Sequence, residues 1–319
     1  MRAIVYERFG DVDVLEMKEL EKPIPEDYEV LIRIHATTVA SEDPGMRASR
    51  GLNGFRKPKR NILGFYLAGE VEAIGRSVKR FKVGNQIYGN TGLRLLGTYV
   101  EYKCMPESAA LVKKPSNISY AQAASIPNGA LTSLPFLLEL GYIKKGQKLL
   151  ILGASGAVGT TAIQLAKLYG AEVTGVCSTS NLDLVKSLGA DYVIDYTKED
   201  FIKTENHYHV IFDAVGKSSF SRCVRSLTLN GIYLTTVPTP SNLWPIARTK
   251  LIGRKKAKFA ATGLRETSKK IKDLTIMNEL IEQGRFYSVI DRFYPLEQIR
   301  EAHNYVEKGR KSGNVVITL

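Results

Sequence analysis

Chemistry is most legible in the run Gly153-Ala154-Ser155-Gly156-Ala157-Val158-Gly159, set between an apolar stretch and a helix-forming one. Ala154 stands where a full G-x-G-x-x-G fingerprint has its first glycine. Gly156 and Gly159 keep the positions that let backbone approach a pyrophosphate and let a helix pack close to a strand. The amides that open the next helix, from Ala157 and Val158 on, then face phosphate oxygens, and the helix dipole favours their charge. A purely structural turn is the bland alternative. The strand-turn-helix setting and the further strand-helix units downstream favour a dinucleotide. About 20 residues on, where an NAD site usually places an Asp or Glu on the ribose hydroxyls, this chain reads Cys177-Ser178-Thr179-Ser180-Asn181. No carboxylate is there to repel a 2′-phosphate and the hydroxyls can donate to one, so NADPH is expected. The same serines also suit helix capping.

Other chemistry is harder to build. His35, His207, His209 and His303 are scattered, with no Ser-His-Asp order and no metal spacing. Cys104, Cys177 and Cys223 include no C-x-x-C pair, which disfavours both a disulfide framework and a structural zinc site. The formal net charge of +13 is dispersed, with short clusters at Arg56-Lys57-Pro58-Lys59-Arg60, Arg254-Lys255-Lys256 and Lys269-Lys270. It reads as a solvated basic surface; no aromatic-interleaved stripe suggests a nucleic acid. No apolar run reaches the roughly 18 residues of a membrane span, and the start Met1-Arg2-Ala3-Ile4-Val5-Tyr6 is strand-like, so a soluble, cytoplasmic protein is expected.

The elements that must position the glycine turn divide the chain in two. Up to about residue 115 the pattern is short strands: Ala3 to Tyr6, Glu29 to Ile34, Gly69 to Ile74, Gln86 to Tyr88 and Thr98 to Tyr102. Ser119 caps a helix that opens the next part. From Gly146 strands and helices alternate. Strands are expected at 148–152, 172–176, 192–194, 209–212, 231–235 and 258–261. Helices are expected through Lys167, over 182–188, briefly after Ile194, and over 220–227. This is the pattern of a doubly wound parallel sheet. A stripe of Ile271, Leu274, Met277, Leu280 and Ile281 marks a core-facing helix. A helix over 296–306 and a strand over 315–317 close the chain, and that strand can return to the first part.

With these stretches in place, the chain resembles the zinc-independent medium-chain dehydrogenase/reductases of the quinone oxidoreductase type. The similarity rests on Met1 to Gly10, Gly64-x-x-x-Ala68-Gly69-Glu70-Val71, Ala154-x-Gly156-x-x-Gly159 and Lys311-Ser312-Gly313-Asn314-Val315-Val316. It implies a GroES-like, mostly β substrate domain (1–118 and 289–319), a Rossmann domain (119–288), a cleft between them, and a homodimer joined at Rossmann-sheet edges. It also implies hydride transfer from NADPH to quinones or other conjugated carbonyl compounds. Zinc relatives carry a Cys near 40, a His and Glu near 65 and four cysteines near 95. This chain has Ala40, Gly64-Phe65-Tyr66 and Thr91-Gly92-Leu93-Arg94, so neither zinc site is expected. Without a Lewis acid the substrate must already be electrophilic.

The resemblance assigns cofactor contacts to Thr132, to Ser178 and Thr179 at the 2′-phosphate, to Tyr196, to Val215 in Asp213-Ala214-Val215-Gly216, and to Asn314. Asn181 replaces a lysine often seen in the phosphate loop. On the substrate side, Ala40-Ser41-Glu42-Asp43 keeps only the aspartate of the family's Asn-Pro-x-Asp. Asp43 is a catalytic candidate, its alternative being a turn residue paired with Arg47. Tyr66 is a candidate proton donor, or else an aromatic wall. Three other functions stay open: a metal-free alcohol or aldehyde reductase, a cofactor sensor without turnover, and a nucleic-acid-binding protein that keeps the fold.

Overall fold

The apolar run Ala3-Ile4-Val5 builds strand β1 (Arg2–Val5), which pairs antiparallel with the charged, mostly exposed β2 (Glu16–Glu19). The computed structural model describes every residue of the chain except Leu52 and Lys203. Next come β3 (Glu29–Val39), helix α1 (Glu42–Ala48), β4 (Tyr66–Ile74), β5 (Gln86–Asn90), β6 (Tyr102–Pro106) and β7 (Ala110–Lys113). The strand expected over 98–102 forms four residues later. Residues 98 and 99 instead donate their amides to the Leu63 carbonyl, and Val100 only bridges Ala3.

Helix α2 (Tyr120–Leu134) opens on a reciprocal cap: Gln122 N donates to Ser119 Oγ at 3.2 Å, and Ser119 N to Gln122 Oε1 at 2.9 Å. Then follow β8 (Lys148–Leu152), α3 (Ala157–Leu168), β9 (Glu172–Cys177), α4 (Leu182–Ser187) and β10 (Tyr192–Asp195). After them come β11 (Tyr208–Asp213), α5 (Phe220–Cys223), β12 (Leu227–Thr235), α6 (Pro240–Leu251) and β13 (Lys256–Phe259). All six strands are parallel, in the order β10-β9-β8-β11-β12-β13. This is the doubly wound sheet read from the sequence. Among the described residues no helix lies between β10 and β11, where a short one was expected, and α5 is four residues rather than the eight expected over 220–227, because β12 starts at Leu227.

The chain ends with α7 (Thr267–Glu282), β14 (Ile290–Pro295), α8 (Ile299–Glu307) and β15 (Asn314–Thr318). β15 pairs antiparallel with β3, placing Val315 opposite Val39, so the C-terminus completes the sheet β14-β15-β3-β4-β5-β7. The chain forms two compact units, 1–128 with 263–319, and 129–262. Helix α7, which the sequence reading put with the parallel sheet, packs within the first unit. Tyr88 Oη donates to Asn278 Oδ1 at 2.7 Å, and Asn278 Nδ2 to the Lys113 carbonyl at 2.9 Å. Its buried positions Leu274, Met277 and Ile281 are those of the expected stripe.

Candidate functional site

In the parallel-sheet unit the glycine run turns sharply off β8. Gly153 has φ +77° and a Cβ there would lie 2.4 Å from Val215 Cγ1, so the turn and the loop after β11 touch. Gly159 is pinned harder: a Cβ would meet the Gly153 carbonyl at 2.2 Å and Ala154 Cα at 2.7 Å. Gly156, the N-cap of α3, differs. Nothing but the Gly153 carbonyl, at 3.5 Å, lies near its missing side chain. Close packing thus fixes Ala154 and Gly159, while Gly156 leaves backbone room for a ligand. Ala154 is fully buried, and its amide donates to the Val176 carbonyl at 3.0 Å.

The neighbouring loops converge on this turn at the carboxyl ends of the strands. Asn181 Nδ2 donates to Ser155 Oγ at 3.1 Å and to Ser178 Oγ at 3.3 Å, tying the loop after β9 to the turn. Thr179 donates its hydroxyl to Asp195 rather than leaving it free for a phosphate. Asp195 also takes the Thr197 hydroxyl, and these hydrogen bonds hold its carboxyl below the usual range. The Ser178 and Ser180 hydroxyls lie 3.2 Å apart in the same loop. Tyr196 is 58% exposed beside them.

The loop that carries Val215 is built on one side chain. The buried Asp213 carboxylate accepts from the amides of Val215, Gly216, Lys217 and Ser218 and from Tyr233 Oη at 2.9 Å. Thr132, half-buried, is positioned because α2 lies hard against α3. A Cβ at Gly129 would be 2.1 Å from Thr161 Oγ1, and Ser133 Oγ donates to the Val158 carbonyl at 3.0 Å. A cavity of about 460 Å³ between Tyr142, His209 and Thr228 opens at the other ends of these strands and shares no residue with the turn.

The other unit holds Tyr66, Asp43 and Asn314. Gly64, at φ +99°, leads into β4 where a Cβ would strike Thr98 Oγ1 at 2.1 Å. That entry buries Tyr66 with its hydroxyl donating to Glu42 Oε1 at 3.2 Å. Burial first, and the neighbouring Glu42 second, hold the phenol well above its ordinary proton affinity. Asp43 is fully buried and accepts from Ala40 N at 2.7 Å and Gly64 N at 3.3 Å. Burial and the adjacent Glu42 raise it to about 8, and the buried Tyr99 hydroxyl faces it. Asp43 is therefore an anchor between α1 and the β4 entry, not a partner of Arg47. Buried Arg47 instead serves Glu307 at 2.7 Å, His303 Nδ1 at 3.2 Å and the Gly10 carbonyl at 3.1 Å.

The sequence reading missed Glu42 and Lys311. Glu42 is exposed as a residue, and desolvation of its carboxyl raises its proton affinity against the opposing hydrogen bond from Tyr66. The Lys311 amine donates to the Gly313 carbonyl at 2.7 Å. Burial lowers it to about 8, against the opposing pull of Glu42 and Asp291. Asn314 is buried: its Nδ2 donates to the Val289 carbonyl at 3.1 Å and its Oδ1 is unpartnered.

Residues 26–116 match the family described as alcohol dehydrogenase GroES-like domain, and residues 188–317 the one described as zinc-binding dehydrogenase. Despite that description, no group of three or more His, Cys, Asp or Glu that could hold a metal gathers among the described residues. The chain is 32% identical to the NADPH-dependent alkenal/one oxidoreductase, chloroplastic, of Arabidopsis thaliana, over 99% of this chain and 79% of that protein. It is 30% identical to the chloroplast envelope quinone oxidoreductase homolog of the same plant, over 99% and 98%. Among solved structures, the quinone oxidoreductase from Coxiella burnetii superposes with a TM-score of 0.87 at 27% identity, covering 100% and 99% of the two chains.

Proposed function

The chain belongs to the medium-chain dehydrogenase/reductase family, among its quinone and alkenal/one oxidoreductases, and on that premise we propose that it uses NADPH to reduce quinones or other conjugated carbonyl compounds without a metal. The carrying observation is the open backbone at Gly156, framed by the Ser178 loop and by Val215 on the Asp213 clasp. The α3 amides at Ala157 and Val158 would hold the pyrophosphate, and Ser155 would line its path. Ser178, Thr179, Asn181 and Tyr196 would enclose the adenosine end. No carboxylate stands in the 178–181 loop, which supports NADPH over NADH; Asp195 behind Thr179 keeps the preference moderate. Thr132, Val215 and Asn314 would meet the nicotinamide half.

When bound, NADPH supplies the hydride. The protein places the acceptor, excludes water and offers Tyr66 as proton donor. Metal-stripped protein should oxidise NADPH, followed at 340 nm, with quinones and enals and at an unchanged rate in chelator. Failure with every acceptor despite NADPH binding would overturn the reading in favour of a cofactor sensor. A homodimer is also proposed, through the unpaired edge of β13 and the outward face of α6, where Trp244 and Leu251 are 66% and 85% exposed. Trp244→Glu should lower the mass measured by light scattering from that of a dimer to that of a monomer.

A further inference from the structure

β15 pairs antiparallel with β3 as far as Val315 opposite Val39, so the chain just before β15, with Lys311, and the chain just after β3, with Glu42, leave the same end of that pair, where the Tyr66 phenol donates to Glu42 Oε1 at 3.2 Å. Asp43, next to Glu42 in the chain, has its carboxylate oxygens taken by the Ala40 and Gly64 amides. Glu42 is thus the one carboxylate in direct hydrogen-bond contact with that phenol among the described residues.

Resting on the reductase reading above, we propose that Glu42 is a positioning residue that orients the Tyr66 hydroxyl and resupplies its proton. Hydride arrival at the β-carbon of an enone breaks the C=C π bond and leaves an enolate. The Tyr66 O–H bond then breaks, and its proton forms the new C–H bond at the α-carbon. The Glu42 carboxyl returns a proton to the phenolate oxygen and is itself reprotonated by water. Two electrons leave NADPH, and one proton from solvent completes the saturated ketone. The groups facing Glu42 are Tyr66, Asp43, Tyr99 and Lys311, with Asp291 behind Lys311. Burial raises the proton affinity of the Glu42 carboxyl, which favours its acid form, and the Lys311 cation opposes that.

Quinones separate this step from hydride delivery, since a hydroquinone anion takes its proton from water. The experiment compares the native protein, Glu42→Gln, Tyr66→Phe and the double variant on an α-methyl cyclic enone and on a para-quinone. In Glu42→Gln the ratio of enone to quinone kcat should fall about tenfold or more, and Tyr66→Phe and the double variant should fall no further than about that. The enone product should lose stereochemical purity at the α-carbon, because water protonates either face. Independently of turnover, the ¹³Cζ resonance of Tyr66 in cofactor-free protein, assigned with Tyr66→Phe, should follow a carboxyl titration that Glu42→Gln abolishes. An unchanged ratio, retained stereochemistry, additive losses in the double variant, or a Tyr66 resonance indifferent to Glu42→Gln would each overturn the proposal while leaving the reductase reading intact. No oxidation with any acceptor in the native protein would sink both.

Discussion

Gly156 and Gly159 lie three residues apart in one turn, yet the same substitution should do opposite things at the two. At Gly156 an alanine Cβ enters open space, 3.5 Å from the nearest atom, at an ordinary φ of −76°. Alanine is a poorer N-cap than glycine by about 0.5–1 kcal/mol, which the reduced freedom of the unfolded chain offsets by about 0.4–1 kcal/mol. Gly156→Ala should therefore keep native stability to within about 0.5 kcal/mol. Its methyl, however, occupies the space where the pyrophosphate approaches. An overpacked contact there costs about 1–3 kcal/mol, or roughly 5- to 150-fold in Kd. At Gly159 the Cβ lands 2.2 Å from the Gly153 carbonyl, where both partners are backbone and neither can swing away. That should cost about 2 kcal/mol or more of folding free energy. Urea denaturation and NADPH fluorescence titration on the two purified variants give both readings. A Gly156→Ala protein that binds NADPH as the native one does, or a Gly159→Ala protein of native stability, would refute the reasoning.

Two further outcomes follow from buried polar groups. His303 is buried against Arg47, and burial first, then that cation, lowers it to about 3. A depressed pKa means stability that is present above the unfolded value near 6.5 and is lost as pH falls toward 3, about 2–3 kcal/mol by pH 4.5. His303→Gln keeps an acceptor for Arg47 and has no proton to gain, so its urea midpoint should fall less between pH 6.5 and 4.5; an equal fall in both proteins would contradict this. Asp213→Ala strands four amides and the Tyr233 hydroxyl and should cost about 3 kcal/mol with a clear loss of NADPH affinity, whereas Tyr233→Phe, which loses one hydrogen bond, should cost about 1 kcal/mol. Similar losses in the two variants would deny the clasp its role.

The parallel sheet was legible because strands such as β8, β9 and β11 are local signals, short apolar runs that end in a turn. Helix α6 was not, because its pattern is inverted. It buries Asn242 and Thr249 and turns Leu243, Trp244 and Leu251 outward, so no inward stripe at helical spacing exists to be read. The same division runs through the site. The glycine turn announces itself, since Gly153, Gly156 and Gly159 stand together in seven consecutive residues, Gly153 with φ +77° and Gly159 packed on the backbone of Gly153 and Ala154. Asp43 was read as a catalytic candidate, with a turn residue paired to Arg47 as the alternative, and it holds the Ala40 and Gly64 amides instead of Arg47. Arg47 sits four residues on, yet its partners come from Gly10, His303 and Glu307, which local spacing does not reveal. Glu42 and Lys311 are 269 positions apart and come to the same end of the β3–β15 pair only because the last strand returns to β3 with one particular register. A shift of that register by one residue would turn every side chain of β15 to the other face and move Lys311 relative to Glu42. The chemistry of the dinucleotide end is thus written in consecutive residues, and that of the proton-donating end in the pairing of the two chain ends.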